Sequence, residues 1–127
     1  MPKNFSLLNK TRGKTPRIPF AKIKDTILGS DYDLSLALVT PKEAREVTQK
    51  TKKKDKPSNV LSFPLSKKSG EILICPATAR AQAPQYGYST TTFVARLFIH
   101  GCCHLDGYRH SATMEKKENQ IAAQFGL

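Results

Sequence analysis

The sequence predicts a single domain, residues 1–127, of the α+β or α/β class, in which helices pack on a mixed, roughly four-stranded sheet. Three observations support this prediction. Short segments with alternating apolar residues are interleaved with segments of helical periodicity. Two short apolar segments, 60–63 and 72–75, flank a Ser-Lys-Lys-Ser-Gly sequence that is typical of a hairpin turn. The length of 127 residues suits one hydrophobic core and is too short for two.

The first half of the chain contains two strands, each followed by a helix. Residues 5–10 read as a short strand, and residues 19–29 place apolar side chains at helical spacing between a proline and a glycine. Residues 33–39 alternate leucine with other residues, as a half-buried strand does. The sequence Thr40-Pro-Lys-Glu43 then has a capping threonine, a proline and a capping-box glutamate, which predicts a helix over 41–52.

The second half adds the hairpin and three further helices. A short alanine-rich helix follows Pro76 and runs to about residue 83, and residues 84–88 form a loop. Ser89 or a following threonine caps the next helix, which carries an apolar stripe that continues into two histidines. Residues 111–125 predict a last and more polar helix.

All three histidines of the chain lie within residues 100–110. His100 and His104 are four residues apart, so a helix places both imidazoles on one face. A turn at Gly107 can bring His110 back to the same point. Three imidazole nitrogens at about 2.0–2.1 Å would hold one zinc ion and leave a fourth position open, as catalytic zinc sites do. The same donors also accept nickel, copper or iron.

Cysteine content bears on both the ligand set and the compartment. Cys103 shares the face of His100 and is either a fourth ligand or a small buried side chain. Three cysteines without framework spacing favour a reducing compartment. No segment has the length of a signal-peptide apolar core or a membrane span. We therefore expect a cytoplasmic protein without a membrane partner.

The chain is strongly basic. It has 21 lysines and arginines against 10 acidic residues, which gives a formal net charge of +11. The excess is concentrated in residues 1–24 and in the block 50–56. A field of this sign favours a nucleic-acid backbone through phosphate contacts and counterion release, although a lysine run can also be a solvated loop. The charge thus predicts RNA or DNA as a partner.

Two ordered motifs resemble those of the YbeY endoribonucleases, also called ribosomal RNA maturation factors. The first is His100-Gly-Cys-Cys-His104-Leu-Asp-Gly-Tyr-Arg-His110, and the second is Lys54-Asp-Lys-Pro-Ser-Asn-Val-Leu-Ser-Phe-Pro64, followed by Gly70-Glu-Ile-Leu-Ile-Cys75. The resemblance extends from about residue 33 to the end. It implies a metal-dependent, single-strand-specific endoribonuclease that acts in small-subunit ribosomal RNA 3′-end maturation and in ribosome quality control.

The resemblance also implies roles for particular residues. It makes His100, His104 and His110 the ligands of one zinc ion, without a small-molecule cofactor. The partners it implies are single-stranded or ribosomal RNA and, through it, the small ribosomal subunit. We assign catalytic roles to His100 and Lys52, and RNA binding to Lys52, Lys53, Lys54 and Lys56.

Two positions depart from the family pattern. Lys52 stands where the family usually has an arginine, and a lysine keeps the charge but loses the planar fork that grips phosphate at two points. Arg109 replaces an aspartate, while Asp106 replaces a residue that is commonly apolar. We hypothesise that Asp106 and Arg109 pair across the turn, the alternative being two unrelated surface changes.

Two other function classes compete with the nuclease. A zinc metalloprotease of the His-Glu-X-X-His type needs a general-base glutamate directly after the first histidine, where this chain has Gly101. The second alternative is a non-catalytic basic ribosome-associated protein with a structural zinc, completed by Cys103.

Overall fold

The computed structural model describes residues 4–50, 59–109 and 111–127. It has the predicted α+β composition. In chain order the strands and helices are β1 (Phe5–Asn9), α1 (Phe20–Leu28), β2 (Asp33–Leu38), α2 (Pro41–Lys50), β3 (Val60–Ser66), β4 (Ser69–Ile74), α3 (Pro76–Gln82), α4 (Thr90–Leu105) and α5 (Ala112–Gln124).

The strands form the predicted mixed, four-stranded sheet, in the order β1-β2-β4-β3. β1 pairs parallel with β2, and β2 pairs parallel with β4. β3 pairs antiparallel with β4, which confirms the predicted hairpin. α1 provides the crossover between the parallel strands β1 and β2, because a parallel pair needs a long connection. The sheet is therefore parallel at one side and antiparallel at the other.

The hairpin strands are longer than the sequence predicted. The ladder extends through Ser66 and Ser69 and leaves only residues 67–68 for the turn, with a register shift between Pro64 and Ser66. Proline has no amide hydrogen, which normally counts against a strand, but β3 is an edge strand and tolerates it. A smaller correction concerns the predicted loop 84–88, whose first part belongs to a 3₁₀ turn over Ala83–Tyr86.

Hydrophobic side chains are buried on both faces of the sheet. The larger cluster joins β2 and β4 to the buried sides of α1, α4 and α5, and includes Leu34, Leu36 and Leu38, as the alternation in the sequence predicted. A smaller cluster lies on the other face around Val39 and Leu73 and includes Ala44 of α2. Helix α4 contacts α1, α3, α5, β3 and β4, so it is the central helix of the larger layer.

Side-chain caps mark the start of three helices; those at Thr40 and Ser89 were predicted, whereas Ser111 was placed within the last helix and is its cap. The Thr40 hydroxyl accepts a hydrogen bond from the Glu43 amide at 3.2 Å, and the Glu43 carboxylate itself pairs with Lys10. Ser89 caps α4 and Ser111 caps α5, each accepting a hydrogen bond from the backbone amide three residues later.

Among the described helices, none combines the length and apolar character that crossing a bilayer requires.

Candidate metal centre

Helix α4 holds two of the predicted ligands. One side of this helix is fully buried against the sheet and α1, through residues that include Val94, Phe98 and Cys102. Packing on this scale fixes the rotation of the helix about its axis. His100 and His104 occupy successive turns on a side that is only partly buried, since both have intermediate exposure. The two imidazoles thus come from a rigid element and remain accessible.

The rings of His100 and His104 are adjacent. Their centroids are 4.6 Å apart and their planes are inclined by 88°. Two imidazoles bound to one tetrahedral zinc at about 2.0–2.1 Å have centroids roughly 5 Å apart. The observed separation is close to this value, so the donor pair fits a shared metal ion.

A carboxylate from a neighbouring helix contacts the first histidine. The Nδ1 atom of His100 lies 2.7 Å from Oε2 of Glu118 in α5, and the two side chains are 26% and 23% exposed. A carboxylate only accepts hydrogen bonds, so the Nδ1 atom of His100 is the donor. Because Nδ1 carries this proton, a metal ion bound by the same ring would be held through Nε2.

Sequence reasoning did not identify Glu118. In the sequence, Met114, Ile121 and Phe125 are spaced along one helical stripe, and in the structure all three pack on the larger hydrophobic cluster. Glu118 lies four residues after Met114 and three before Ile121, so it occupies the same stripe. An acidic residue at an otherwise apolar position of this stripe was the available signal.

The turn after α4 reverses the chain as predicted. Gly107 has a φ of 99°, a left-handed conformation that side chains disfavour. The Gly107 amide donates to the His104 carbonyl at 3.0 Å, and the Tyr108 amide donates to the Cys103 carbonyl at 3.1 Å. α5 then packs back on α4, and its Glu118 meets His100. His110 lies outside the described residues, so its role as third ligand stays a prediction.

The hypothesis that Asp106 and Arg109 pair is wrong. Within the described part of the chain, the ion pairs do not join these two residues. The pKa of Asp106 is raised by burial, and the charge that acts in the opposite direction is that of Lys117 in α5. The positive charge that acts on Asp106 thus comes from the last helix rather than from the turn's own arginine.

Cys103 is a buried thiol. Burial raises its pKa to about 12, and the negative charges of Glu118 and Asp106 act in the same direction. Cys75, Cys102 and Cys103 are all free and buried. The Cys103 side chain is packed in the larger hydrophobic cluster, so its observed position is that of a core residue.

Gly101 distinguishes this site from the active site of a zinc peptidase. It follows His100 directly, and a Cβ atom added there would come within 2.9 Å of Ser62 Oγ and 3.0 Å of Ile72 Cδ1. The position faces the sheet, where a glutamate side chain has no room. Position 101 therefore cannot hold the general-base glutamate that the His-Glu-X-X-His pattern requires.

The lysines assigned to RNA binding lie outside the described residues. Lys52, Lys53, Lys54 and Lys56 belong to the segment between α2 and β3. That segment joins the fold at Asn59, whose carbonyl accepts from the Cys75 amide at 3.0 Å. Their roles, and the catalytic role of Lys52, stay predictions.

Comparisons with known proteins identify similar sequences and a similar structure. The sequence profile of the family described as "Endoribonuclease YbeY" matches residues 17–126. A protein of Aquifex aeolicus with that name is 35% identical over 106 residues, covering 78% of this chain and 71% of the relative. One from Staphylococcus carnosus is 33% identical over 113 residues, covering 80% and 73%. The solution structure of a Thermotoga maritima protein has a TM-score of 0.70 at 25% identity and covers 95% of this chain and 88% of its own.

Proposed function

Because the chain belongs to the YbeY family of endoribonucleases, we propose that it is a metal-dependent enzyme that cleaves single-stranded RNA. We place this activity in small-subunit ribosomal RNA 3′-end maturation and ribosome quality control, in the cytoplasm. The observation that carries the metal dependence is the His100–His104 pair, whose ring centroids are 4.6 Å apart on one side of a buried helix.

The proposed ligands are His100, His104 and His110. A zinc ion held by three imidazoles would supply Lewis acidity at a phosphate oxygen and would lower the pKa of a nearby water. The chain's own contribution is to hold the rings in place. α4 is anchored in the core, and the Glu118 carboxylate contacts His100 at 2.7 Å. The partial exposure of both rings leaves room for a phosphodiester to approach.

The lysine segment is the proposed RNA-binding element. Ser62 of β3 donates a hydrogen bond to the Gly101 carbonyl at 3.4 Å, directly beside His100. Lys56 precedes Ser62 by six residues, so even an extended chain keeps its backbone within about 20 Å of this contact. Positive charge on this segment can hold RNA phosphates and offset charge in the transition state. We propose Lys52, Lys53, Lys54 and Lys56 for this binding, with Lys52 also assisting cleavage.

The two alternatives are less well supported. A zinc peptidase lacks its base, because position 101 faces the sheet. A structural zinc completed by Cys103 would require this side chain to leave the larger hydrophobic cluster, in which it is fully buried.

A cleavage assay separates these functions. The wild-type protein and the variants His100→Ala and Thr91→Ala would be incubated with single-stranded RNA, double-stranded RNA and casein, with and without a chelator. Thr91 is exposed on the same helix and serves as the matched control. We expect cleavage of single-stranded RNA only, lost with chelator and in His100→Ala and kept in Thr91→Ala. Casein cleavage, or RNA cleavage that survives both treatments, would overturn the proposal.

A further inference from the structure

We propose that Glu118 is a positioning residue of the metal site, which holds the Nδ1 proton of His100 so that Nε2 of the same ring binds the ion. This inference rests on the proposed metal dependence and assigns a role to a residue of α5 that is not itself a ligand. Metal-binding histidines commonly donate their second ring nitrogen to a carboxylate, which fixes the tautomer and the ring orientation and increases the basicity of the ligand nitrogen.

The contact has the geometry of a charge-assisted hydrogen bond. The distance between Nδ1 of His100 and Oε2 of Glu118 is 2.7 Å, at the short end of the range for such bonds. Both side chains are about three-quarters buried, being 26% and 23% exposed. Partial burial strengthens the interaction relative to a surface pair, because solvent screens it less.

The backbone on both sides of the contact is fixed. α5 begins at the Ser111 cap and buries Met114 and Ile121, one turn on either side of Glu118. The next residue, Asn119, accepts a hydrogen bond from Arg96 of α4 at 3.2 Å. Two helices are thus held in register at this level, so the backbone at Glu118 keeps a fixed distance from His100.

The orientation of the His100 ring distinguishes a role at the metal site from a contact that only holds α4 and α5 together. A contact of the second kind could use either ring nitrogen and any ring orientation. Here the carboxylate takes Nδ1, and the ring of His100 stands next to that of His104, with centroids 4.6 Å apart. With the proton held on Nδ1, a metal ion bound by this ring would be held through Nε2, and the tautomer with the proton on Nδ1 is the one that such a ligand needs. The contact therefore prepares His100 for a cation before the cation arrives.

The test measures metal affinity rather than activity. Zinc dissociation constants would be determined by competition with a chromophoric chelator for the wild type, Glu118→Ala, Glu118→Gln and Glu115→Ala. Glu115 is exposed on the same helix and is the matched control. We expect Glu118→Ala to weaken zinc binding about 10–100-fold. Glu118→Gln keeps an acceptor oxygen but no charge, so it should lose less, and Glu115→Ala should bind as the wild type does.

A second readout reports on the ring itself. Long-range ¹H–¹⁵N correlation spectra of the zinc-loaded protein should show the His100 proton on Nδ1 in the wild type and in Glu118→Gln. Thermal unfolding of the metal-free proteins controls for folding, and the Gln variant covers the case in which Glu118→Ala does not fold. Wild-type zinc affinity in a folded Glu118→Ala, or binding through Nδ1 of His100, would overturn this inference while leaving the metal site intact. Failure of the wild type to bind any metal ion would overturn both.

Discussion

Gly101 of α4 lies directly against Ser62 of β3. The Ser62 hydroxyl donates to the Gly101 carbonyl at 3.4 Å, and a Cβ atom at position 101 would come within 2.9 Å of that hydroxyl oxygen. Absence of a side chain therefore lets the helix approach the sheet closely. Because His100 is the adjacent residue, this approach sets how far the candidate metal centre stands from the hairpin and from the basic segment that precedes it.

A larger side chain at this contact should destabilise the protein. Gly101→Val adds atoms where Ser62 and Ile72 leave no space, and overpacking of this kind costs about 1–3 kcal/mol. Chemical denaturation would measure the free energy of unfolding, with Thr91→Val on the exposed side of α4 as the control. An unchanged free energy of unfolding in Gly101→Val would show that the helix is not held against the strand as described.

A buried lysine in α1 should contribute to stability. Lys24 is 1% exposed, and its Nζ contacts Asp25 Oδ1 at 2.9 Å and the Ser30 carbonyl at 3.3 Å. Lys24→Ala removes both contacts and the packed stem, so we expect a loss of about 1–3 kcal/mol in the free energy of unfolding. Lys22→Ala, exposed on the same helix, should change it little. Equal effects of the two variants in denaturation would contradict the burial of Lys24.

The Asp31–Lys68 ion pair should make a small contribution to stability that depends on pH. The hydrogen bond and charge of Lys68 lower the pKa of Asp31 from 3.8, and Asp31 raises the pKa of Lys68 from 10.5. The carboxylate contribution is present above 3.8 and is lost as the pH falls through the lowered pKa. The lysine contribution is present below 10.5 and is lost as the pH rises through the raised pKa.

The Asp31→Asn variant tests whether the ion pair stabilises the protein between these two pH limits. Its melting temperature should be slightly below that of the wild type between those two pH values, and the difference should vanish in strong acid and in about 1 M salt, because both groups are exposed. Melting curves across pH for the two proteins provide the measurement. A difference that persists in acid would mean that the pair is not its source.

The basic segment should bind RNA through phosphates rather than bases. Substituting Lys52, Lys53 or Lys54 with alanine should weaken binding similarly for unrelated single-stranded sequences and reduce the slope of log K against log salt by about 1 for each lysine. Lys42→Ala, at the opposite end of α2, is the charge-matched control. Fluorescence anisotropy at several salt concentrations would measure both quantities. Loss of binding to one sequence alone would indicate base recognition instead.

Local signals in the sequence predicted most of the fold. Alternating leucines, helix caps and the hairpin turn each depend on neighbouring residues, and they gave the strands, the helix starts and the mixed sheet. The extent of the hairpin was missed, because whether Pro64 is tolerated depends on β3 being at the edge of the sheet. The burial of Lys24 was missed for a similar reason, since its partner carbonyl belongs to the loop after α1.

The candidate site was predicted to a different extent. The His100–His104 pair follows from helical spacing and could be read directly. Glu118 comes from another helix, 18 residues away, and only the packing of α5 on α4 brings it to His100. The proposed pairing of Asp106 with Arg109 was wrong because it considered the turn alone, whereas Lys117 of α5 is the cation that acts on Asp106. The sequence patterns predicted features within one helix or turn, but not the side-chain contacts that join α5 to α4.

Metal content measured together with RNA cleavage in the wild type and in His110→Ala tests the central claim most directly. If three histidines hold one catalytic metal ion, the wild type should contain about one equivalent and cleave single-stranded RNA, and His110→Ala should lose both the bound metal and the cleavage while retaining its fold by circular dichroism. A folded His110→Ala protein that keeps a full equivalent of metal and wild-type cleavage would contradict the account.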